Sequence, residues 1–577
     1  MIAKVTINIP HHAVDKSFDY KVPRECSEVQ VGIRVEVHFN HRKHVGMITG
    51  FKKTSTQKNL KSILKIIDEK PLISEQSLKL AENLRTFYAL PLFDYLNLMI
   101  PAPLKKPLKT KRQTVKNPKS VKETDKSVRE LSPESMQLEK SLQRYSKAIL
   151  DNGPKSHDVL IDFLSKQENK RILIIHPDIL SAEVFHEKIK FHLNQVVLYH
   201  SKLKISEKRR SLQALDDNQT IMIGTKVALF IEPDKWDLII VRHADSSFYQ
   251  HLERPRYDTL KVIELMHHTF KTNIIYMADT LPLSLLKDIE ENHIEYLSTS
   301  GPITKTPLNI IPLSSHVVSQ SSLLTEETLK IIHETINQQK KVMLIHERKE
   351  DDTDSNYLNQ LGIESLTREL EEYDPYLITS DTSKLLEVFK AFQEKGKILI
   401  GTSILLNLDE INQLGAIIFV KWDDFLIDSS QGPLKSYSVL SKASNLLTKT
   451  NARLIVQTYE ENHNVFTQFN DSQVDFATQE LQTAKELNLP PFQDMAQIIL
   501  ESGSIKDLEF YSKSAINYLK KALRDHAQIL GPRYKNSLSI ITIKSDDLDP
   551  YRSSLRSLIQ AFHDDIKIEL RTHQFII

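Results

Sequence analysis

Two series of short apolar segments, each alternating with amphipathic stretches, constrain the fold of this chain more than any other feature. The first series is RILII, TIMIG, DLIIV and NIIYM, between residues 171 and 277. The second is KVMLI, PYLIT, KILIG, GAIIFV and RLIVQT, between residues 341 and 458. Continuous apolar runs separated by helical segments are typical of parallel strands buried on both faces. The sequence therefore predicts two doubly wound α/β lobes in tandem.

The segments that flank these lobes have other patterns. Residues 1–104 contain VTINI, RVEVHFN and VGMITGF, followed by a helical stretch from Glu75 to Tyr88, which predicts a small, mostly β domain. Residues 105–130 begin with eight basic and no acidic residues up to Lys122, which predicts a flexible basic linker that is either a spacer or a phosphate contact. We assign the lobes to residues 131–300 and 301–471, and a compact α+β domain to residues 472–577.

Composition excludes several classes of protein. The chain has no apolar run of the about 18 residues that a spanning helix needs, and its N-terminus does not resemble a signal peptide. Its single cysteine, Cys26, excludes a disulfide framework, so we expect a cytoplasmic protein with no membrane partner. The formal net charge of +1 means that nucleic acid has to be bound by local patches. The chain has only 13 glycines in 577 residues, and phosphate-binding loops need glycine because it lets several backbone N–H groups point at one anion. The composition therefore does not favour such a loop.

Specific segments resemble the family of primosomal protein N′ (PriA), the bacterial replication restart helicases. SFDYKVP (17–23), VGIRVEVHFNHRKHVGMITG (31–50) and LKSILKIID (60–68) are similar to its 3′-end-binding domain. Further fragments follow in the order and spacing of that family: LSPE (131–134), HPDILS (176–181), YHSKL (199–203), IGTKVALF (223–230), DSSFYQ with PRYD (245–258), IGT (400–402), IVQTY (455–459), LNLPPF (487–492) and LGP (530–532). The resemblance implies two RecA-like helicase lobes of the P-loop NTPase fold (superfamily 2), placed between the N-terminal DNA-binding domain and a C-terminal domain.

The segment that matches the family's phosphate-binding loop departs from it. A working loop reads G-x-x-x-x-G-K-[ST], and Lys155 and Ser156 stand at its last two positions. Pro154 replaces the final glycine, and Ile149 replaces the first. Because proline has a fixed φ and no N–H to donate, the nest of backbone donors is not formed there. Lys155 and Ser156 are therefore interpreted as remnants, with Lys155 as a surface lysine at the start of a helix.

A second departure follows the segment DLIIV. The family carries Asp-Glu-Glu-His there, and its acidic residues hold Mg²⁺ and help to activate water. This chain has Arg242, His243, Ala244 and then Asp245. An arginine in the metal position repels Mg²⁺. The alternative, that Asp245 has taken over the metal by a shift of register, stays open.

Further departures fall in the second lobe and in two additional modules. The family's arginine-finger motif is replaced by residues 442–447 (KASNLL), and its Lys-Gly-His-Asp stretch by residues 407–410 (NLDE). An intact member is expected to bind ATP, Mg²⁺ and two zinc ions. Here no cysteine stands in the zinc region between residues 348 and 362, and no room is left for the family's winged-helix domain. We therefore predict no cofactor, no metal ligand and no intact catalytic residue.

The DNA-binding prediction concerns two places. By resemblance, Phe18, Asp19 and Tyr20 form a pocket for a 3′ end, in which an aromatic ring stacks on the terminal base and a carboxylate accepts a hydrogen bond from the 3′ hydroxyl. Lys61 is expected to neutralise a nearby phosphate. The alternative is that the two aromatics are ordinary strand residues. A second surface is predicted in the loop after DLIIV, where packing between the lobes is the alternative; its residues are Phe248, Tyr249, Arg254, Arg256 and Tyr257.

These observations predict a PriA-like scaffold that binds forked DNA and single-stranded DNA with 3′ ends during replication restart, without ATP hydrolysis or unwinding. Its expected location is the nucleoid. Single-strand-binding protein and primosome or helicase-loading proteins are the partners that the resemblance implies. Two alternatives stay open, namely an active ATP-dependent 3′ to 5′ helicase with an unusual site and a protein-interaction scaffold with no role on DNA.

Overall fold

The fold was taken from a computed structural model that describes residues 1–23, 29–57, 59–105, 132–153, 155–299, 305–313, 322–350, 361–426, 432–447, 452–469, 473–572 and 575. The strands in these ranges form four main sheets and one two-stranded ribbon. Cys26, Pro154 and nearly all of the basic linker 105–130 lie outside the described residues. The predictions made for them therefore stay predictions.

An antiparallel five-stranded sheet, called here the N-terminal sheet, begins the chain. Its strands are β1 (Ile2–Ile7), β2 (Ser17–Lys21), β3 (Arg34–Phe39), β4 (Arg42–Lys52) and β5 (Lys65–Ile66), in the spatial order β2-β1-β4-β3-β5. Two helices follow, α1 (Glu75–Tyr88) and α2 (Leu92–Met99). The buried face of α1, with Leu80 and Leu84, packs into the same apolar core as the first lobe, so these helices attach the sheet to that lobe.

A fully parallel seven-stranded sheet forms the first lobe. Its strands are β6 (Lys147–Asp151), β7 (Ile172–Ile175), β8 (Val196–Tyr199), β9 (Ile221–Gly224), β10 (Leu238–Val241), β13 (Asn273–Ala278) and β14 (Glu295–Leu297), and the ribbon is β11 (Gln250–His251) with β12 (Tyr257–Asp258). The spatial order is β14-β6-β13-β10-β7-β9-β8. The helices are α3 (Pro133–Tyr145), α4 (Ser156–Ser165), α5 (Ile179–Ile189), α6 (Ile205–Gln213), α7 (Thr259–Phe270) and α8 (Leu283–Glu290). Every residue of the central strands β7 and β10 is buried, as expected for a sheet covered on both faces.

The second lobe is a fully parallel six-stranded sheet. Its strands are β15 (Leu308–Pro312), β16 (Lys341–Ile345), β17 (Tyr376–Ile378), β18 (Ile398–Gly401), β19 (Leu414–Phe419) and β20 (Arg453–Thr458), in the order β15-β20-β19-β16-β18-β17. The helices are α9 (Glu326–Asn337), α10 (Ile363–Glu369), α11 (Leu385–Lys395), α12 (Gly432–Leu447) and α13 (Asn464–Gln468). The two parallel lobes confirm the α/β fold that the apolar segments predict.

A four-stranded antiparallel sheet closes the described chain. Its strands are β21 (Asp494–Glu501), β22 (Gln528–Lys535), β23 (Leu538–Ser545) and β24 (Lys567–Arg571), and α15 (Ile505–Leu523) and α16 (Arg552–Phe562) pack on it. The preceding helix α14 (Gln473–Glu486) contacts α8 and α12 instead, and the Phe476 ring stacks on Tyr437 with centroids 4.1 Å apart. This helix therefore packs between the two lobes. Among the helices described, none combines the length and apolar character needed to cross a membrane.

Candidate functional site

Asp19 lies at the centre of the predicted 3′-end pocket, on the edge strand β2. Its carboxylate accepts hydrogen bonds from the Lys52 ammonium and the Ser55 hydroxyl. Burial raises the pKa of Asp19, but these two hydrogen bonds and the charge of Lys52 outweigh it and leave the pKa below its ordinary value. The carboxylate is therefore ionised at neutral pH and retains lone pairs for a further donor.

The aromatic residues beside Asp19 differ in their accessibility. Phe18 is half-buried and meets Phe39 edge to face with centroids 4.8 Å apart, and the Lys16 ammonium lies 5.4 Å from its ring centroid. Tyr20 points into the core of the sheet, where its hydroxyl donates a hydrogen bond to the carbonyl oxygen of His38 at 3.0 Å. Phe18 can offer a ring to a base, whereas the ring of Tyr20 is structural in this conformation.

Lys61 is placed near this pocket by the backbone. The neighbouring Ser62 forms a parallel bridge with Lys21 at the end of β2, and the Lys61 carbonyl oxygen accepts a hydrogen bond from the Lys21 N–H at 2.9 Å. Lys61 itself is exposed. The sequence interpretation missed Lys52, Ser55 and Phe39, because they reach the pocket through pairing of distant strands and not through a local motif.

The two remnants of the phosphate loop, Lys155 and Ser156, stand at the start of α4. The Ser156 hydroxyl is buried and donates a hydrogen bond to the carbonyl oxygen of Gly153 at 2.8 Å, so it is satisfied within its own loop. Lys155 is exposed and does not line the cleft between the lobes. Neither side chain is in a position to hold a phosphate in that cleft.

Arg242, in the family position of the Mg²⁺-binding acid, is fully buried just after β10. Its guanidinium donates a hydrogen bond to the Asp409 carboxylate of the second lobe at 2.5 Å, and it also lies 2.7 Å from Nε2 of His157 on α4. Burial raises the pKa of Asp409, but the adjacent charge of Arg242 outweighs burial and holds that pKa well below its ordinary value. The arginine thus joins the two lobes through a buried ion pair.

A second joint between the lobes is formed around Asp279, which follows β13. Its carboxylate accepts hydrogen bonds from Nδ2 of Asn152 in the first lobe at 3.0 Å and from Nδ2 of Asn445 on α12 at 2.8 Å. Nδ1 of His243 lies 3.2 Å away. Burial raises the pKa of Asp279, but its interactions with His243 bring the pKa below the ordinary value.

A third joint involves Asp245, the alternative metal ligand. Its carboxylate accepts a hydrogen bond from the Ser438 hydroxyl and lies 3.4 Å from the Lys442 ammonium, both on α12. Lys442 also donates to Oδ1 of Asn407 at 3.3 Å, and Asn407 donates to Oδ2 of Asp178 at 2.9 Å. Asp245 does not line the cleft, so its position does not favour the alternative of a shifted metal site.

These three joints, called here the interlobe network, comprise Asn152, His157, Asp178, Arg242, His243, Asp245, Asp279, Asn407, Asp409, Ser438, Lys442 and Asn445. They occupy the seam where an intact family member would bind nucleotide. The remaining cleft has a volume of about 170 Å³. Ligand pockets usually have about 300 to 1,000 Å³, so the seam is better suited to holding the lobes together than to holding a nucleotide.

The loop predicted as a second DNA surface is largely part of the core. Tyr249 is 1% exposed, and its hydroxyl donates hydrogen bonds to the carbonyl oxygens of Ile175 (2.9 Å) and Arg242 (2.6 Å). Tyr257 is equally buried and stacks on His251. Neither ring is open to a base, so the predicted stacking role of Tyr249 and Tyr257 is wrong for this conformation.

The other members of this loop contact neighbouring parts of the chain. Phe248 is half-buried and packs on the main core. Arg256 donates a hydrogen bond to Glu569 of the C-terminal domain at 2.6 Å, and Arg254 donates one to Asp94 of α2 at 3.0 Å. These two arginines therefore connect the loop to α2 and to the C-terminal domain, and not to the second lobe.

Comparison with known proteins identifies PriA proteins among the relatives of this chain. Residues 4–101 match the model of a 3′ DNA-binding domain of PriA. The replication restart proteins PriA of Rickettsia conorii and Rickettsia typhi are each 20% identical to this chain, over 94% and 96% of its length and 95% and 97% of their own. PriA of Thermotoga maritima is 22% identical over 65% of this chain, and the match spans 58% of that protein.

Solved helicase structures also resemble the described chain. Yeast Dbp5 bound to RNA and ADP BeF3 gives a TM-score of 0.41 at 11% identity, over 62% of this chain and 97% of that chain. The DEAD-box helicase Mss116 bound to ssRNA gives 0.42 at 11% identity, over 62% and 83%. These scores are too low to support an inference.

The matches to PriA proteins confirm the resemblance inferred from the sequence: the chain is similar to the PriA family over almost its whole length, and its residues 4–101 match that family's 3′ DNA-binding domain.

Proposed function

We propose that this chain acts in replication restart by binding forked DNA and the 3′ ends of nascent strands, as a scaffold for primosome assembly that neither hydrolyses ATP nor unwinds DNA. The observation that carries the proposal is the interlobe network, which fills the nucleotide seam with ion pairs between the lobes. DNA binding is supported by the match of residues 4–101 and by the ionised carboxylate beside a half-exposed aromatic ring.

Loss of ATP turnover follows from the charges at the seam. Catalysis of phosphoryl transfer needs Mg²⁺ between protein carboxylates and the phosphates. The cleft is lined by the carboxylates of Asp158, Asp279, Asp409 and Glu410. Of these, Asp409 is paired with Arg242 and Asp279 is bonded to amide donors. Arg242 adds a buried positive charge that opposes a metal ion there.

The same network limits movement of the lobes. A motor of this fold has to change the contact between its lobes during each cycle. Here, opening of the seam would break two ion pairs, Arg242 with Asp409 and Lys442 with Asp245. No bound nucleotide would supply new partners for these charges. The lobes therefore form one rigid support, on which single-strand-binding protein and helicase-loading proteins are the proposed partners at the nucleoid.

Discrimination of the strand end depends on Asp19. A 3′ hydroxyl can donate a hydrogen bond to its carboxylate, whereas a 3′ phosphate meets a like charge. A hydrogen bond to a charged group contributes about 1.5 to 3 kcal/mol, so wild-type protein should bind a fork with a 3′ hydroxyl at least about 10-fold more tightly than the same fork with a 3′ phosphate.

The test measures ATP turnover and fork binding on one preparation. ATP turnover with forked DNA should equal that of Lys155→Ala, and fluorescence anisotropy should show the 3′-hydroxyl preference in wild type but not in Asp19→Asn. Glu36→Gln, which removes a carboxylate from β3 of the same sheet, is the matched control and should keep the preference. Turnover that Lys155→Ala abolishes would refute the inactive scaffold, and equal binding of both forks by wild type would refute the 3′-end role.

A further inference from the structure

Histidine and aspartate side chains meet where the N-terminal sheet contacts the C-terminal domain. His11 lies in the loop after β1, and His563 and Asp564 directly follow α16. Nε2 of His11 is 3.4 Å from Oδ1 of Asp564, and Nε2 of His563 is 3.0 Å from the same oxygen. One nitrogen or oxygen atom from each of the three side chains lies within 4.8 Å of the other two.

The ring of His563 is oriented as in a metal ligand. Its Nδ1 is 2.8 Å from the carbonyl oxygen of Gln560, which can only accept, so Nδ1 carries a proton. In the neutral ring Nε2 then presents a lone pair, and this atom is buried without a hydrogen-bond partner in a side chain that is 9% exposed. Metal-binding histidines commonly donate their other N–H to a carbonyl oxygen in this way.

The contact between His563 and Asp564 is favourable only when a cation lies between the two side chains. A nitrogen lone pair and a carboxylate oxygen 3.0 Å apart repel each other unless a proton or a metal ion lies between them. The His11 and His12 rings lie close to His563, with centroids 4.7 Å and 5.2 Å from its own.

We propose that His11, His563 and Asp564 bind one divalent transition-metal ion of the zinc class, which fastens the N-terminal sheet to the C-terminal domain. Two imidazole nitrogens and one carboxylate oxygen suit Zn²⁺, and a water molecule completes a tetrahedron. Ligands about 2.0 to 2.2 Å from a tetrahedral ion lie about 3.3 to 3.6 Å apart, close to the 3.0 and 3.4 Å separations. Metal binding through Nε2 of His11 requires the ring proton to move to Nδ1, so His11 gives up the long hydrogen bond that Nδ1 accepts from the Ala13 N–H at 3.4 Å.

The ion would strengthen an existing contact between the same regions. Asp15, whose side chain is buried, accepts hydrogen bonds from Arg85 of α1 at 3.0 Å and from Arg556 of α16 at 2.7 Å. The proposed ligands lie beside this bridge, and they come from segments that are far apart in the sequence. Metal binding would therefore stabilise the placement of the 3′-end pocket relative to the C-terminal domain, whether or not the chain hydrolyses ATP.

The test uses the full chain freed of metal and titrated with Co²⁺, whose visible absorption reports tetrahedral coordination, followed by Zn²⁺ in competition with a chromophoric chelator. One equivalent should bind to wild type, and binding should weaken at least about 10-fold in His11→Ala and in His563→Ala. His11 is 52% exposed, so its replacement leaves the fold intact. Zn²⁺ should also raise the thermal unfolding midpoint of wild type but not of His11→Ala.

The control is His293→Ala, which alters an exposed cluster with Asp288 and Glu291 that has the same ligand types without a buried histidine. Binding should be unchanged in this variant. Absence of stoichiometric Co²⁺ binding, equal affinity of wild type and His11→Ala, or loss of binding in His293→Ala would each overturn the proposal.

Discussion

Replacement of Arg242 by methionine tests whether the interlobe network holds the lobes together. The change keeps an unbranched apolar stem but removes the guanidinium, which is fully buried and bonded to Asp409 across the seam. Asp409 then remains as a carboxylate that is mostly buried, with His157 at 3.0 Å as its nearest remaining partner. The perturbation therefore leaves a charge in place and removes what neutralises it.

The expected loss in the free energy of unfolding is large because only one charge of the buried pair is removed. Removal of one member of a buried ion pair costs about 3 to 5 kcal/mol, because the other charge is left uncompensated. Asp409→Leu should cost a similar amount, since Arg242 is then the buried charge without an anion. The double variant Arg242→Met/Asp409→Leu should lose much less than the sum, because both charges are gone and the seam becomes apolar, which gives a coupling energy of at least about 2 kcal/mol.

The two tryptophans of the chain make the assay specific for each lobe. Trp236 is buried in the first lobe and Trp422 in the second. Urea unfolding followed by fluorescence in Trp422→Phe and Trp236→Phe backgrounds reports the first and second lobe separately. With the network intact, both lobes should unfold in one transition, whereas Arg242→Met should move the two transitions apart.

Arg453→Met is the control, because Arg453 pairs with Glu334 at 2.9 Å on the surface of the second lobe, where both side chains are about 40% exposed. A surface pair of this kind contributes about 0 to 1 kcal/mol. If Arg242→Met destabilises the protein no more than Arg453→Met, or if the losses from Arg242→Met and Asp409→Leu are additive, the network does not hold the lobes together and does not limit their movement.

The remaining predictions concern DNA and pH. Phe18→Ala should weaken binding of 3′-hydroxyl and 3′-phosphate forks alike, by about 1 to 3 kcal/mol in anisotropy titrations, because stacking does not depend on the terminal group; Phe191→Ala, on an exposed ring, should have no effect. The free energy of urea unfolding should fall as the pH drops below about 6.5, because burial lowers the pKa of His176 well below its ordinary value and the unfolded chain then binds the extra proton. His176→Gln should flatten this dependence and His293→Gln should not. Replacement of Lys105, Lys106, Lys109 and Lys111 in the linker by neutral residues should reduce the slope of log K for fork binding against log salt concentration, by up to about 0.9 per phosphate contact removed. An unchanged slope would show that the linker is only a spacer.

The sheets could be predicted where strands are buried on both faces. The apolar segments indicate strands that are interior to the sheets, namely β7, β9, β10, β13, β16, β18, β19 and β20. The exception is β17, an edge strand of which only Ile378 is buried. The strands β8, β14 and β15 were missed because they form edges of the sheets and are only partly buried. β6 is interior and was also missed, since Lys147 and Asp151 at its ends interrupt the apolar pattern.

The sites were less predictable than the sheets. The resemblance predicts a role for Asp19, but the residues that set its charge, Lys52 and Ser55, come from β4 and the segment after it, and no local spacing indicates them. The proposed metal ligands His11 and His563 are equally remote in sequence. The prediction of no metal ligand rested on the arginine at the Mg²⁺ position and on the missing cysteines, and neither concerns these two histidines. Tyr249 and Tyr257 show the opposite error, because an aromatic-rich loop has the same composition whether its rings face DNA or the core.

The replaced residues at the seam contact one another, which could not be predicted from each position alone. In the sequence, Arg242, the segment 407–410 and the segment 442–447 are three separate departures from a working ATPase. In the structure the replacements are bonded to one another across the seam, Arg242 to Asp409 and Lys442 to both Asp245 and Asn407. Returning only Arg242 to aspartate would place two carboxylates together and repel Asp409, which would cost stability without creating a metal site. The departures therefore act as one set, and this is why the seam is better explained as a joint between the lobes than as a damaged active site.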